Sequence, residues 1–275
     1  MIKKTIILAT LLLALYGIEG NAQCKVTNNY FQAGEVLTYD LYFRWGITNT
    51  KAGTSSLRTT STKYNGKDAY KMSLIANSSG LADKIYSLDD TLSTYTTKDL
   101  TPLAFQKLAH EKGDFTDEKM TYTYGSGGNV TVKTKRVKNG EVKFDETINA
   151  SSCVYDMVSV VFYARTLDYS SMKKGDEKRV DFVSGKKKSY MIIEHQGIES
   201  ITANDGKAYS CIKLVLSLSA NVNKNAFDDR TEAMKVYITN DNNRIPVRLD
   251  SKLKRGSTRA ILKGYKGTKH AVSAK

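Results

Sequence analysis

The stretch LTYDLYFRW, residues 37–45, decides the fold of this 275-residue chain. Large apolar side chains at its odd positions alternate with Thr38, Asp40, Tyr42 and Arg44, and this period of two is typical of a strand with one buried face. The same alternation returns in residues 70–76 and 211–218. The sequence therefore predicts a protein built almost entirely of β-strands.

Short turn signals separate these runs. Asn65-Gly66, Asn139-Gly140 and Asp205-Gly206 are residue pairs that tolerate positive φ, as tight hairpin turns require. Consecutive strands joined by such turns pair with their neighbours in an antiparallel meander.

One segment departs from the strand pattern. Between Ser152 and Tyr169 apolar residues recur every three or four positions, and Ser151 and Ser152 are available as caps. The spacing predicts an amphipathic connecting helix over residues 151–170. A shorter helical turn is predicted around residues 81–86.

The helix separates two segments with similar motifs. Gly34-Glu35, Tyr95 to Asp99 and Pro102 in the first segment match Gly175-Asp176, Tyr237 to Asp241 and Pro246 in the second, in the same order. We therefore expect an internal repeat within one continuous domain: a first meander (23–150), the helix, a second meander (171–265) and a tail (266–275). The predicted fold is all-β with minor α, a strongly curved sheet forming an open barrel or half-barrel that the helix covers.

The N-terminus has the layout of a secretory signal peptide, with Lys3 and Lys4 before an apolar run that is too short to span a bilayer. Small residues at Gly20 and Ala22 predict cleavage after Ala22. A lipoprotein signal needs a small residue directly before its cysteine, and Gln23 holds that position. We therefore favour ordinary cleavage over lipidation of Cys24, and we expect an exported, periplasmic or outer-membrane-associated protein.

Three cysteines allow three single pairings that sequence cannot rank. If Cys24 belongs to a mobile N-terminus, Cys153 and Cys211 are the pair to test. Two buried free thiols are the alternative.

Charge and motifs exclude several classes of function. The net charge is +14, or +13 without residues 1–22 (14 minus 2 plus 1), which favours an anionic envelope polymer or a lipid headgroup as partner over nucleic acid. No later segment is apolar enough to cross a membrane. The three histidines lack metal-site spacing, and no phosphate-binding loop or nucleophile motif appears, so no metal or cofactor is predicted.

The chain resembles the bacterial exported family known as domain of unknown function 3108. The resemblance rests on four segments in a fixed order: Gly34 to Tyr39, Trp45-Gly46-Ile47 with Ala52-Gly53, Tyr155 to Arg165, and Arg244 to Val247. It implies a β-rich envelope protein and no established reaction or ligand. The Asn-Ala-Gln cleavage region also looks like that of exported proteins of the Bacteroidetes.

Three residues are candidates for ligand binding. Tyr163 and Arg165 on the helix would line the mouth of a groove, although Arg165 and Asp156 could instead pair with strand groups and lock the helix to the sheet. Trp45, at the end of the first strand, is either a binding residue or a plug in the core. Asp89-Asp90 and Asp228-Asp229 are adjacent carboxylates that point to opposite faces of a strand, so neither pair is a catalytic dyad.

These observations support three functions. The first is a non-enzymatic envelope protein that binds an apolar or amphiphilic ligand, or another envelope component, in a groove of the curved sheet. The second is a scaffold or assembly factor for surface polysaccharide or outer-membrane proteins. The third is a glycan-active enzyme, which needs two carboxyl groups within roughly 10 Å in an open cleft.

Overall fold

The computed structural model describes residues 24–45, 48–85, 87–219, 231–252 and 256–275. The predicted signal peptide, its cleavage site and the Asp228-Asp229 pair lie outside these ranges. The described elements, in chain order, are β1 (Val36–Trp45), β2 (Thr48–Tyr64), β3 (Lys67–Ser78), α1 (Gly80–Ile85), β4 (Leu88–Thr96), β5 (Pro102–Glu111), β6 (Asp114–Tyr124), a 3-10 turn (Ser126–Gly128), β7 (Val130–Lys138), β8 (Glu141–Ala150), α2 (Ser159–Thr166), β9 (Glu177–Ser184), β10 (Lys187–Thr202), β11 (Ala208–Ser219), β12 (Thr231–Thr239), β13 (Pro246–Lys252) and β14 (Ser257–Lys266).

The strands form one antiparallel sheet in the order β8-β7-β6-β5-β4-β3-β2-β1-β14-β13-β12-β11-β10-β9. Each meander keeps its chain order, and the two meet where β1 pairs with β14, from Val36 opposite Lys266 to Arg44 opposite Ser257. The sheet is curved and does not close, because β8 and β9 remain at its two edges. The predicted all-β fold with one covering helix is confirmed.

The two meanders repeat the same backbone hydrogen bonds. Thr59 N donates to Glu35 O at 3.0 Å, and His195 N donates to Asp176 O at 2.9 Å. Thr97 N donates to Thr101 O across the β4–β5 turn, and Thr239 N donates to Ile245 O across the β12–β13 turn. Strands β1–β6 thus correspond to β9–β14, while β7 and β8 have no counterpart. Duplication as the origin of this similarity stays a prediction.

Helix α2 is shorter than the predicted helix over residues 151–170. The segment before it is extended, because Tyr155 N donates to Asp181 O and Val183 N donates to Tyr155 O, which joins Tyr155 to β9. Helical turns begin only at Ser159. Neither Ser151 nor Ser152 lies next to this start. The Asp156 carboxylate accepts hydrogen bonds from Val158 N and Ser159 N in the turn that leads into the helix.

Helix α2 covers one face of the sheet, which we call the inner face, and the opposite face is the outer face. Phe162 packs in one buried cluster with Leu37 and Met72, and Val160 packs in a second cluster with Ile193 and Leu214. The helix therefore fills the space between the two meanders with apolar side chains.

The predicted disulfide between Cys153 and Cys211 is wrong. Cys24 is bonded to Cys153, and Cys211 is a buried free thiol on β11. The prediction assumed a mobile N-terminus, but Val26 N donates to Asp99 O and Phe31 lies in the core, so the segment from Cys24 is packed against the sheet. Cys24 therefore reaches the start of the helical connection.

Candidate binding surfaces

Arg165 lies inside the protein and not at the mouth of a groove. Its side chain is 1% exposed, and its two terminal nitrogens donate to the Glu35 carboxylate at 2.6 and 2.9 Å. Nη2 also donates to Asn243 O at 2.8 Å, and the guanidinium lies over Phe31. Arg165 thus joins α2 to both meanders, which is the structural alternative that the sequence left open.

Tyr163 and Trp45 are placed differently. Tyr163 is half-buried, its ring lies 4.6 Å from that of Tyr155, and burial raises the pKa of its hydroxyl. Its role in ligand binding stays a prediction. Trp45 ends β1 opposite Thr48, and its side chain is outside the described part of the molecule. Arg165 contacts Glu35 just before β1 and Trp45 is the last residue of β1, so the backbone places these two candidates at opposite ends of that strand.

A polar cluster lies on β4 and β5, where Lys107 sits between two carboxylates. Lys107 Nζ is 2.9 Å from Glu111 Oε1 and 3.6 Å from Asp90 Oδ2. Burial is the main cause that raises the pKa of Asp90, Lys107 lowers this pKa, the negative charge of Glu111 raises it, and the net value is about 6. The hydrogen bond from Lys107 lowers the pKa of Glu111.

This cluster predicts a pH-dependent stability. Because the pKa of Asp90 is raised above its ordinary value of 3.8, the folded protein binds more protons than the unfolded chain between the two values. Its free energy of unfolding should therefore fall by about 1–2 kcal/mol, allowing for solvent screening, as the pH rises from about 4 to about 6. The lowered pKa of Glu111 acts in the opposite direction at more acidic pH. Urea unfolding across this pH range should show that the free energy of unfolding depends less on pH in Asp90→Asn than in the wild-type protein.

The control for that experiment is Asp145→Asn. Asp145 is exposed and pairs with Lys135 across β7 and β8, far along the sheet from Asp90. Its replacement should leave the profile between pH 4 and 6 unchanged. If the free energy of unfolding changes with pH identically in Asp90→Asn and in the wild-type protein, Asp90 is not the source of the pH dependence.

The outer face carries a groove across β12, β13, β14 and the end of β1, with a volume of about 330 Å³. Val247 and Leu249 of β13 face the core, so the alternate residues Arg248 and Asp250 face outward. The lining holds five cations against two carboxylates: Arg44, Lys235, Arg248, Lys252 and Arg259 against Glu232 and Asp250. The groove therefore has a surplus of three positive charges.

Each carboxylate in this region is shared between two cations. Asp250 pairs with Arg248 and Arg259, and Glu232 pairs with Lys235 at 3.6 Å and Lys252 at 3.2 Å. Arg248 and Lys213 also lie over the Tyr237 ring, at 5.2 and 5.9 Å. Such pairing fixes the long basic side chains in place, while the surplus charge remains available to an anion. We call this region the outer basic groove.

The net charge of the sequence favours an anionic partner, but it does not locate the outer basic groove. Arg248, Asp250 and Lys252 alternate along one strand, and Lys235 and Tyr237 alternate along its neighbour. That period of two is visible in the sequence and places these side chains on one face. The pairing of β13 with both β12 and β14 is needed to bring them together.

A second depression, of about 630 Å³, is open to solvent beside the β4–β5 turn. Leu103 and Tyr124 supply apolar surface. The charged residues of the lining are Lys25, Lys98, Asp68 and Asp99, so their formal charges cancel. In the ranges that the structure describes, neither helix is long and apolar enough to cross a membrane. Across the same ranges, His, Cys, Asp and Glu side chains form no group of three that could hold a metal ion.

The comparisons with known proteins agree with this architecture. The family model described as "Protein of unknown function (DUF3108)" matches residues 38–263. The beta-barrel-like protein of domain of unknown function DUF1849 from Brucella abortus is similar with a TM-score of 0.60 and 10% identity, over 87% of this chain and 98% of that one. This likeness is one of fold alone.

A weaker similarity links the chain to a "putative lipoprotein" from Parabacteroides distasonis, with a TM-score of 0.32 and 13% identity, over 88% of this chain and 99% of that one. That similarity supports no inference about this protein. No curated protein matches the chain.

Proposed function

This chain belongs to the family of proteins of unknown function DUF3108, and we propose that it is an exported, non-enzymatic protein that binds an anionic polymer of the cell envelope along the outer basic groove. The observation that carries the proposal is the surplus of positive charge in a groove whose basic side chains are held in place by shared carboxylates. A repeating polymer can contact several of these cations at once. Binding through many weak charge contacts suits a scaffold for surface polysaccharide.

Two further features support localisation of the protein outside the cytoplasm. The first 22 residues have the pattern of a signal peptide. The Cys24–Cys153 disulfide is of a kind that persists in oxidising compartments and is rare in the cytosol. Bonding of Cys24 to Cys153 also leaves no thiol on Cys24 for lipid attachment.

The test is a pair of charge reversals in the groove. Lys235→Glu with Lys252→Glu should weaken binding to immobilised dextran sulfate at least tenfold at low salt, because two cations become two anions in the lining. Binding of the wild-type protein should fall steeply as sodium chloride is raised. Affinity chromatography with a salt gradient measures both effects.

The matched control is Lys135→Glu with Lys143→Glu. These residues lie on β7 and β8 and are exposed to a similar degree, so the double replacement changes the net charge equally at a distant place. An equal loss of binding in both double variants would show that only the net charge of the protein matters. That result would refute the outer basic groove as the binding site. Binding that high salt does not weaken would refute the electrostatic mechanism.

An amphiphilic ligand is a second candidate, which the depression beside the β4–β5 turn favours. Its apolar surface from Leu103 and Tyr124 adjoins charged side chains of both signs, a combination that fits an acyl chain with a polar headgroup. Mass spectrometry of protein purified from its native host should then detect a co-purifying lipid. Protein without lipid would leave the polymer as the better candidate.

A further inference from the structure

Arg244 is a buried cation with two side-chain nitrogens that have no hydrogen-bond partner. The residue is 9% exposed, and its Nε and Nη1 atoms are buried without a hydrogen-bond partner. Among the described residues no carboxylate lies within ion-pair distance of it. A buried guanidinium without a partner is destabilising, so its presence requires a structural or functional explanation.

The loop that carries Arg244 does not require an arginine. Arg244 has a φ of 52° and directly precedes Ile245, whose N–H donates to Thr239 Oγ1 at 2.9 Å. The equivalent loop of the first meander has the same arrangement, since Leu100 has a φ of 62° and Thr101 N donates to Thr97 Oγ1. Leu100 is 2% exposed and simply fills the core. The loop of the second meander is two residues longer, but in both loops a residue with positive φ directly precedes the residue whose N–H donates to the threonine hydroxyl. That position holds a leucine in one meander and an arginine in the other.

Aromatic rings lie against the Arg244 guanidinium, but they provide no hydrogen-bond acceptor for the N–H groups at its edge. Its Cζ atom lies 5.1 Å from the centre of the Tyr30 ring and 5.0 Å from that of Tyr169. Tyr169 also stacks on His195, whose Nδ1 is buried without a partner. Ring faces stabilise a cation but accept none of the in-plane hydrogen bonds that guanidinium N–H groups make to carboxylate or phosphate oxygens.

We propose that Arg244 binds a small oxyanion, a carboxylate or a phosphate, in a site bounded by Tyr30 and Tyr169. Tyr30 is half-buried in the segment that precedes β1, and its ring separates the guanidinium from solvent on that side. The anion reaches the edge of the guanidinium when the Tyr30 ring moves aside. This site is separate from the outer basic groove, whose lining does not include Arg244.

The experiment measures thermal unfolding of the purified full chain in sodium acetate and in sodium phosphate, with sodium chloride holding the ionic strength constant. Wild-type protein should show a saturable rise in Tm with at least one of the two anions, because a ligand that binds only the folded state stabilises it. Acetate alone indicates a carboxylate ligand, and phosphate alone indicates a phosphate group. No saturable rise with either anion overturns the proposal.

Three variants separate this site from a general effect of anions. Arg244→Leu introduces the residue type that has the corresponding positive φ at Leu100, so it should fold and lose the anion-dependent rise in Tm. Tyr30→Ala uncovers the guanidinium and should keep that rise or reach it at lower anion concentration. Lys235→Glu with Lys252→Glu, the groove variant, should respond like the wild-type protein. An unchanged anion response in Arg244→Leu overturns the proposal, whatever the outcome at the outer groove.

Discussion

Replacement of Glu35 by alanine is expected to lower the free energy of unfolding by about 3–5 kcal/mol, because the replacement leaves the buried Arg165 guanidinium without its carboxylate. Both side chains are 1% exposed, so water cannot replace the lost partner. The remaining hydrogen bond to Asn243 O satisfies only part of the charge. Urea unfolding followed by circular dichroism measures the change.

An exposed ion pair provides the control for this prediction. Asp145→Ala removes the partner of Lys135, and both of these side chains are largely in solvent. Its effect should be below about 1 kcal/mol. A Glu35→Ala variant that is no less stable than Asp145→Ala would contradict the role of the buried pair as the connection between α2 and the two meanders.

Loss of the Cys24–Cys153 disulfide is expected to have an effect of similar size. The bond joins residues 129 positions apart, and the chain-entropy model gives a stabilisation of up to about 5 kcal/mol for a closed loop of this length. Cys24→Ser with Cys153→Ser should therefore unfold at lower urea concentration than the wild-type protein. Dithiothreitol should destabilise the wild-type protein and leave the double variant unchanged.

Cys211→Ser is the matched control, because it removes a cysteine that forms no disulfide. Burial raises the pKa of the Cys211 thiol to about 12, so the thiol stays protonated and unreactive at neutral pH. The response to dithiothreitol should remain in Cys211→Ser. Loss of that response would show that Cys211 takes part in the disulfide and would contradict the Cys24–Cys153 pairing.

Features that depend on local residue pattern could be predicted from sequence. The alternation in residues 37–45 indicates β1, and Asn65 and Gly66 both adopt the positive φ that their turn requires. The short helix α1 also lies where the sequence predicts a helical turn. In these places the local preference and the tertiary structure favour the same conformation, so the sequence pattern is sufficient.

Features that depend on contacts between distant segments could not be predicted in this way. The periodicity of residues 152–169 predicts a helix longer than α2. The observed helix is shorter because Tyr155 pairs with β9, and this pairing overrides the local helical pattern. Cys153 forms its disulfide with Cys24 and not with Cys211 because the N-terminal segment packs against the sheet. Arg165 shows the same dependence, since only the positions of Glu35 and Asn243 make it a buried connection and not a binding residue.

The pairing of β1 with β14 affects when the chain can fold. Strand β1 leaves the ribosome before the other strands, but one of its two edges pairs with β14, the last strand. The chain between Trp45 and Ser257 takes roughly 10–40 s to synthesise at ordinary translation rates. During that time the β1 edge has unpaired N–H and C=O groups that can join the strands of another molecule. A chain of this topology therefore depends on being kept unfolded or shielded until its C-terminal strand has been synthesised.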